Sequence, residues 1–377
     1  MHIKKSQKVF VDAYLLNKEP QGTKTYIKEL YKEFAKKNKH IQIYLGCFRN
    51  SNLEKEFENY ENIHFLYFKQ KSRIKRMFFE IPRIIKTHQF QYAHFQYVIP
   101  FFRFKNCKYI VTIHDVLFND YKEHFSFIYR LKRNFLFKNS AKKAAYLITV
   151  SDYSKERIHA NYKLKNKKIY ITPNGVNSVF LERYNKQKSI NFIQKKHGVQ
   201  NYILYVSRIE PRKNQQLLLN LFFEIEHKEL TLVFIGKRTI ENKELNLAFD
   251  LLSSKQKKKV VFLEDIEGDE LIEFYRAARV FVYPSLSEGF GIPPIEAGAL
   301  KIPVLCSNET AMSEFKFFKP YHISMQSNDT AIKKSLSSLL ESTNEERLNA
   351  IHQAIKETYT WNKAAQVLSM IINKHED

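Results

Sequence analysis

Pro284-Ser285-Leu286-Ser287-Glu288-Gly289-Phe290-Gly291-Ile292-Pro293-Pro294-Ile295-Glu296 is the stretch that decides the fold of this 377-residue chain. Val280–Tyr283 (VFVY) leads into it as an unbroken apolar run, the pattern of a strand buried on both faces. Pro293 and Pro294 can open a helix behind it, because a first-turn proline gives up no hydrogen bond there. The reading is strand, glycine loop, helix start. In open parallel sheets, ligands sit at the carboxyl ends of such strands. The helix start adds unpaired N–H groups and a positive dipole end, both suited to an anion. Glu288 and Glu296 would be out of place beside a bare phosphate. They fit if hydroxyl-rich groups flank it, since ionised carboxylates accept hydrogen bonds from sugar hydroxyls. The chain has only 9 glycines, and Gly289, Gly291 and Gly298 fall within ten residues here. A chain so sparing of glycine keeps it where backbone must approach a ligand or take a positive φ.

Outward from this stretch, apolar runs alternate with helical periodicity. Tyr202–Ser207, Leu230–Gly236, Lys259–Leu263 and Pro303–Ser307 read as further strands, with helices from Asn214, over 241–253 and over 269–278. A first series precedes it. Lys8–Tyr14, Ile41–Cys47, Ile63–Phe68, Tyr92–Tyr97, Tyr109–Ile113, Tyr146–Val150 and Ile169–Thr172 read as strands, and a loop with Gly22 leads to a helix ending near Lys37. Residues 332–375 read as helices. This alternation predicts an α/β protein with parallel strands and crossover helices. The length suits two domains, and the polar, basic stretch Asn177–Gln200 holds their boundary.

The net charge is +23. Residues 1–190 hold 38 Lys and Arg against 15 Asp and Glu, and residues 191–377 hold 24 against 24. The front half alone carries the excess, which points to an anionic partner, membrane surface or nucleic acid; a lysine-rich background would give part of it. Lys69–Phe90 mixes seven basic residues with Met77, Phe78, Phe79, Ile81, Ile84 and Ile85 and one acid. It fits an anionic bilayer surface, or an ordinary helix with a solvated basic face. Tyr121–Lys143 reads the same way. The opening MHIKKSQKVFVDAYLL reads as a first strand, not a secretory signal. No run approaches 18 apolar residues, so no membrane-spanning helix is expected. Cys47, Cys107 and Cys306 are too scattered for a disulfide framework or a zinc site.

Arg208-Ile209-Glu210-Pro211-Arg212-Lys213-Asn214 follows the strand Tyr202–Ser207. Arg208 offers a planar fork and Lys213 a point charge, a combination fitted to a diphosphate; surface pairing with Glu210 is the plainer alternative. His114 ends the strand Tyr109–Ile113 and serves either structure or proton exchange near neutral pH. Gly22 permits close approach to a ligand or makes a plain turn. Asn174-Gly175-Val176 reads as a tight turn or a loop lining a ligand. No Asp-x-Asp pair or metal-spaced cluster occurs, so neither metal nor cofactor is expected. Neither GxxxxGK[ST] nor GxGxxG occurs, which removes the main support for ATPase and dehydrogenase readings.

Together these residues resemble a known family. EGFGIPPIEAGALKIPV resembles the signature of retaining glycosyltransferases of family four, and SRIEPRKN is similar to that family's diphosphate clamp. HDV at 114–116, VSDYSKERI at 150–158, PNGV at 173–176 and Trp361 follow in the expected order. The resemblance implies a GT-B fold: two doubly wound, Rossmann-like domains facing across a cleft, spanning 1–185 and 186–358, with 359–377 a crossover helix packing on the first. It implies that Glu296 binds the nucleotide's ribose and Glu288 the donor sugar's hydroxyls. Gly289, Phe290, Gly291 and Ile292 would offer backbone to sugar and phosphate. Arg208 and Lys213 would grip the diphosphate, Gly22 and Asn174 would line the donor, and His114 would contact the sugar near the reacting carbon. Catalysis would fall to Glu288, His114, Arg208 and Lys213. Lys301, where the family often has glycine, and Glu264-Asp265, which replace a usual glycine near the base, depart from the pattern.

The expected function is a retaining, metal-independent transfer of a hexose from a GDP-mannose-like or UDP-hexose donor. The acceptor would be a saccharide or lipid-linked glycan of bacterial surface polysaccharide or glycolipid synthesis. The expected location is the cytoplasm, peripheral on the inner face of the plasma membrane. The rivals are a sugar-nucleotide epimerase or hydrolase of the same architecture and a basic nucleic-acid binder, for which no module is recognisable.

Overall fold

A computed structural model describes residues 7–17, 22–122, 125–225 and 229–373. The chain divides into two compact units: Met1–Gly175 with Thr360–Asp377, and Val176–Tyr359. Each is described by itself.

The first unit is built on a parallel sheet of seven strands. These are β1 (Lys8–Asp12), β2 (Gln42–Cys47), β3 (Ile63–Tyr67), β4 (Tyr92–Gln96), β5 (Lys108–Thr112), β6 (Tyr146–Thr149) and β7 (Ile169–Ile171), in the order β3-β2-β1-β4-β5-β6-β7. Central strands are apolar on both faces because helices cover both: Val9, Phe10 and Val11 are all fully buried. The helix Gly22–Lys37 turns Tyr26, Leu30 and Phe34 inward at four-residue spacing. The helix Trp361–Asn373 lies against it: Trp361 meets the Tyr26 ring edge-on at 6.2 Å, and Asn38 Nδ2 donates to Ser369 Oγ at 2.9 Å. Gly175 is held to glycine by this helix, since a Cβ there would come within 2.2 Å of the Trp361 nitrogen. The expected turn at Asn174–Val176 is thus a close backbone crossing.

The second unit carries six parallel strands: β8 (Tyr202–Val206), β9 (Thr231–Ile235), β10 (Val260–Leu263), β11 (Val280–Tyr283), β12 (Val304–Ser307) and β13 (His322–Ile323), in the order β10-β9-β8-β11-β12-β13. Residues 176–185, expected in the first domain, pack with this unit. Val176 N–H donates to Tyr359 O at 2.9 Å, Phe180 meets Tyr275 at 5.6 Å, and Tyr184 Oη donates to Leu300 O at 2.8 Å. The boundary therefore falls at 175/176, where the apolar partners of the segment change. In both sheets sequential order reverses once, between β1 and β4 and between β8 and β11. Such switch points are where doubly wound sheets bind ligands.

Candidate active site

At the second unit's switch point, the loops leaving β8 and β11 are stitched together. After β8 the chain makes one 3₁₀ turn, Pro211–Lys213, whose proline presets φ. Asn214 then takes a left-handed conformation, φ 56°, which asparagine tolerates, and the helix Gln215–Glu224 begins. This turn points Lys213 inward, and Tyr205 Oη donates to its carbonyl at 2.5 Å. In the loop after β11, Tyr283 Oη and Ser285 Oγ each donate to Glu288 Oε1 at 2.8 Å. Lys213 Nζ closes an ion pair on the same oxygen. Arg212 Nη1 donates to Ser287 O at 2.6 Å, and Leu286 N–H donates to Arg212 O at 2.9 Å.

The electrostatics follow from burial and these partners. Burial alone would raise the Glu288 carboxyl, but Lys213, Arg212 and the Tyr283 hydrogen bond hold it down to about 2. Burial pulls the Lys213 ammonium below its usual range, with Glu288 resisting. Both groups are charged at neutral pH. Lys213, read from sequence as a point charge for a diphosphate, is paired with Glu288. Oε1 of Glu288 takes three donors; Oε2 has Arg212 at 3.7 Å, beyond hydrogen-bond range, and keeps acceptor capacity. Arg208 is the exposed cation, with 52% of its side chain open and its Nε 3.2 Å from Glu210 Oε1. Glu210 Oε2 accepts from Arg212 Nε at 2.8 Å, and Thr239 Oγ1 donates to Oε1 at 2.9 Å. Glu210 thereby orients both arginines.

Gly291, at φ 99°, leads into the helix Ile292–Ala299, and a Cβ on it would meet Met312 Cγ at 2.9 Å. Glu296 lies on this helix, half-buried, and accepts from Tyr275 Oη at 3.0 Å. Burial pushes its carboxyl up to about 7, with only Tyr275 opposing. Phe290 packs its ring between Phe315 and Tyr359, at 5.7 and 5.6 Å, so only its backbone is open to a ligand. Gly289 links it to Glu288, whose own N–H donates to Thr310 Oγ1 at 2.9 Å.

Three expected site residues belong to the first unit. Gly22 is the exposed first residue of its helix, not part of a loop; residues 18–21 lie outside the described residues. His114 is buried and pulled down by burial to about 3, hence neutral. Its Nε2 bonds Gln96 Oε1 at 2.8 Å, and its ring meets Tyr26 edge-on at 4.8 Å. Asn174 is buried with no hydrogen-bond partner for Oδ1. Sequence reasoning missed Tyr283, Ser285, Thr310, Tyr275 and the bridging role of Arg212. Arg212, Tyr283 and Ser285 stood inside quoted stretches without a role; nothing local marks Thr310 or Tyr275. Among the described residues no group of three or more His, Cys, Asp and Glu is placed to hold a metal ion, and no helix is long and apolar enough to cross a membrane.

The profile described as "Glycosyl transferases group 1" matches residues 186–357, and that described as "Glycosyltransferase Family 4" matches 20–179. The O-antigen chain mannosyltransferase RfbU of Salmonella typhimurium is 34% identical over 198 residues, 52% of this chain and 51% of that protein. O-antigen chain mannosyltransferase B of Escherichia coli is 31% identical over 176 residues, 45% of each. The chain spans about half the length of these curated relatives. A glycosyltransferase crystal structure from Rickettsia africae superposes with a TM-score of 0.71 at 18% identity, covering 98% of both chains.

Proposed function

The chain belongs to the GT-B glycosyltransferases of family 4, and from that premise we propose that it moves a hexose from a nucleoside diphosphate sugar to a saccharide or lipid-linked acceptor, with retention and without a metal ion. The observation that carries the reading is Glu288 at the switch point, its Oε1 saturated by Lys213, Tyr283 and Ser285 and its Oε2 left to accept sugar hydroxyls. Arg208 and Arg212, oriented by Glu210, supply the positive charge for the diphosphate. Glu296, once ionised, accepts from the ribose.

In the reaction, the bond from the anomeric carbon to the phosphate oxygen breaks and its electron pair leaves with the diphosphate. The acceptor oxygen bonds to the same face of that carbon, and its proton passes to the departing phosphate. Catalysis rests on stabilising the departing charge and on holding the acceptor hydroxyl on the face from which the diphosphate leaves. His114, neutral through the physiological range, suits a hydrogen bond to a sugar hydroxyl and not a charge-carrying role. The mannosyltransferase names of the relatives favour a GDP-mannose donor, and their O-antigen setting favours a surface polysaccharide acceptor made in the cytoplasm.

The test is a thermal-shift panel of GDP-mannose, UDP-glucose and UDP-galactose, followed by transfer assays with anomeric analysis of the product. One donor should raise the melting point in a concentration-dependent way. Arg208→Ala should cut turnover about a hundredfold, the scale of losing one oxyanion donor. Turnover within a few-fold of wild type, or an inverted product, would overturn the assignment. Release of free nucleotide without an acceptor would favour a hydrolase.

A further inference from the structure

Large apolar side chains stand exposed at one edge of the first unit, with Lys and Arg interspersed among them. The helix Phe127–Lys143 carries six Lys and Arg and no acid. Its inner face buries Phe137, Ser140 and Ala141, while Phe127, Ile128, Leu131 and Phe135 are open to solvent, Ile128 at 77%. Leu131 and Phe135 follow Phe127 at four-residue spacing, so the open side is a continuous stripe. A second helical segment begins at Arg73 and passes through a π-turn, Arg76–Glu80, into the helix Ile81–His88. It turns Ile74 and Phe79 outward, between the exposed cations Lys71, Arg73 and Lys75.

The two segments lie at the same end of the sheet. Each precedes a parallel strand, β6 and β4, so each begins at the carboxyl edge. Met77 of the second segment and Phe137 of the first belong to the same buried core. The neighbouring loop is apolar as well: Phe101 stacks on Phe78 at 5.3 Å. Beside Phe79 a groove of about 750 Å³ is lined by Lys69, Lys75 and Arg83 against one acid, Glu80, with Leu66 and Ile84 among its apolar residues. Arg76, which sequence counts with the surface cations, contributes nothing here. It is buried, with its guanidinium over the rings of Tyr14 and Phe68 at 4.8 and 5.2 Å.

We propose that this edge docks on an anionic phospholipid bilayer, with Phe127, Ile128, Leu131 and Phe79 entering the headgroup layer and the surrounding Lys and Arg meeting lipid phosphates. Exposed apolar side chains without cations would suit a protein partner, and cations without apolar side chains a soluble polyanion; an acid-free basic helix with a bare apolar stripe suits a charged membrane interface. The edge that meets lipid is then the edge holding His114. The inference does not depend on sugar transfer.

Flotation of the full chain with phosphatidylcholine vesicles, with and without 30 mol% phosphatidylglycerol, tests it. Binding should require the anionic lipid and fall with salt. Ile128→Ser/Leu131→Ser should weaken it more than about tenfold, and Lys71→Gln or Lys75→Gln each about fivefold. Leu247→Ser/Leu251→Ser, exposed in the second unit, should leave binding intact. Unchanged melting and circular dichroism of the Ile128/Leu131 variant keep the comparison fair, since both side chains are open. Equal binding by that variant, no binding to anionic vesicles, or sedimentation showing a dimer that it dissolves would overturn the proposal, the last in favour of a second copy on this edge.

Discussion

Breaking the Lys213–Glu288 pair from one side removes a charge and leaves its partner stranded. Glu288→Gln keeps the shape and the acceptor for Tyr283 and Ser285, so the loss is electrostatic. A buried charge left unpaired costs about 3–5 kcal/mol. In a unit the size of Val176–Tyr359, each kcal/mol lowers the melting point by about 2–4 °C, which gives a fall of about 6–20 °C. Lys213→Met should destabilise on the same scale. Lys213→Met/Glu288→Gln should recover most of the loss, because neither residue then has a buried charge to strand. Turnover should stay down about a hundredfold or more.

The pH dependence gives a second readout. Lys213 has an ordinary value of 10.5 and is pulled by burial to about 8 with Glu288 present; without it the value falls further. Unfolded Glu288→Gln chains therefore bind more protons than folded ones, and stability rises with pH. The deficit against wild type should shrink as pH rises toward about 8 and stay level beyond it, where wild-type Lys213 also gives up its proton. Differential scanning calorimetry at pH 6, 7, 8 and 9 measures it. A double variant as unstable as the two singles summed, or a deficit at pH 9 equal to that at pH 6, would refute the reasoning.

Burial raises Glu296 from 4.5 to about 7, so its contribution to stability without donor is full below 4.5 and is lost as pH rises through 7. Donor affinity should run the opposite way, about thirtyfold weaker at pH 5.5 than at 8 by calorimetry, with the slope abolished in Glu296→Gln. Gly175→Ala places a methyl against the Trp361 backbone and should cost about 3 kcal/mol or more in denaturant titration; a wild-type midpoint would contradict the packing. His114, at about 3, should contribute no limb to kcat/KM between pH 5 and 9, and His114→Asn should lower the profile without reshaping it.

The strands were legible because their signal is local. Val280–Tyr283 is a run of four apolar residues closed by proline, and the structure begins and ends β11 on those residues. β13 escaped because His322–Ile323 is too short to show a period. The site was legible as two strand-end loops, since loop position follows from strand order. The partnership of Lys213 with Glu288 was not, because it spans 75 residues and depends on which strands become neighbours. Arg76 shows the same limit: a basic residue among basic residues reads as surface, and only the rings of Tyr14 and Phe68 reveal that it is inside. Gly175 looked like any Asn-Gly turn until Trp361 was seen against it.

The first unit is assembled from two separated pieces of chain, Met1–Gly175 and Thr360–Asp377, and this sets an order of events during synthesis. The contiguous second unit can finish folding while the first still lacks Trp361–Asn373 to cover Tyr26 and Asn38. Until that segment leaves the ribosome, the first-made half waits with an open apolar flank, so a chaperone that holds nascent chains would find its grip there.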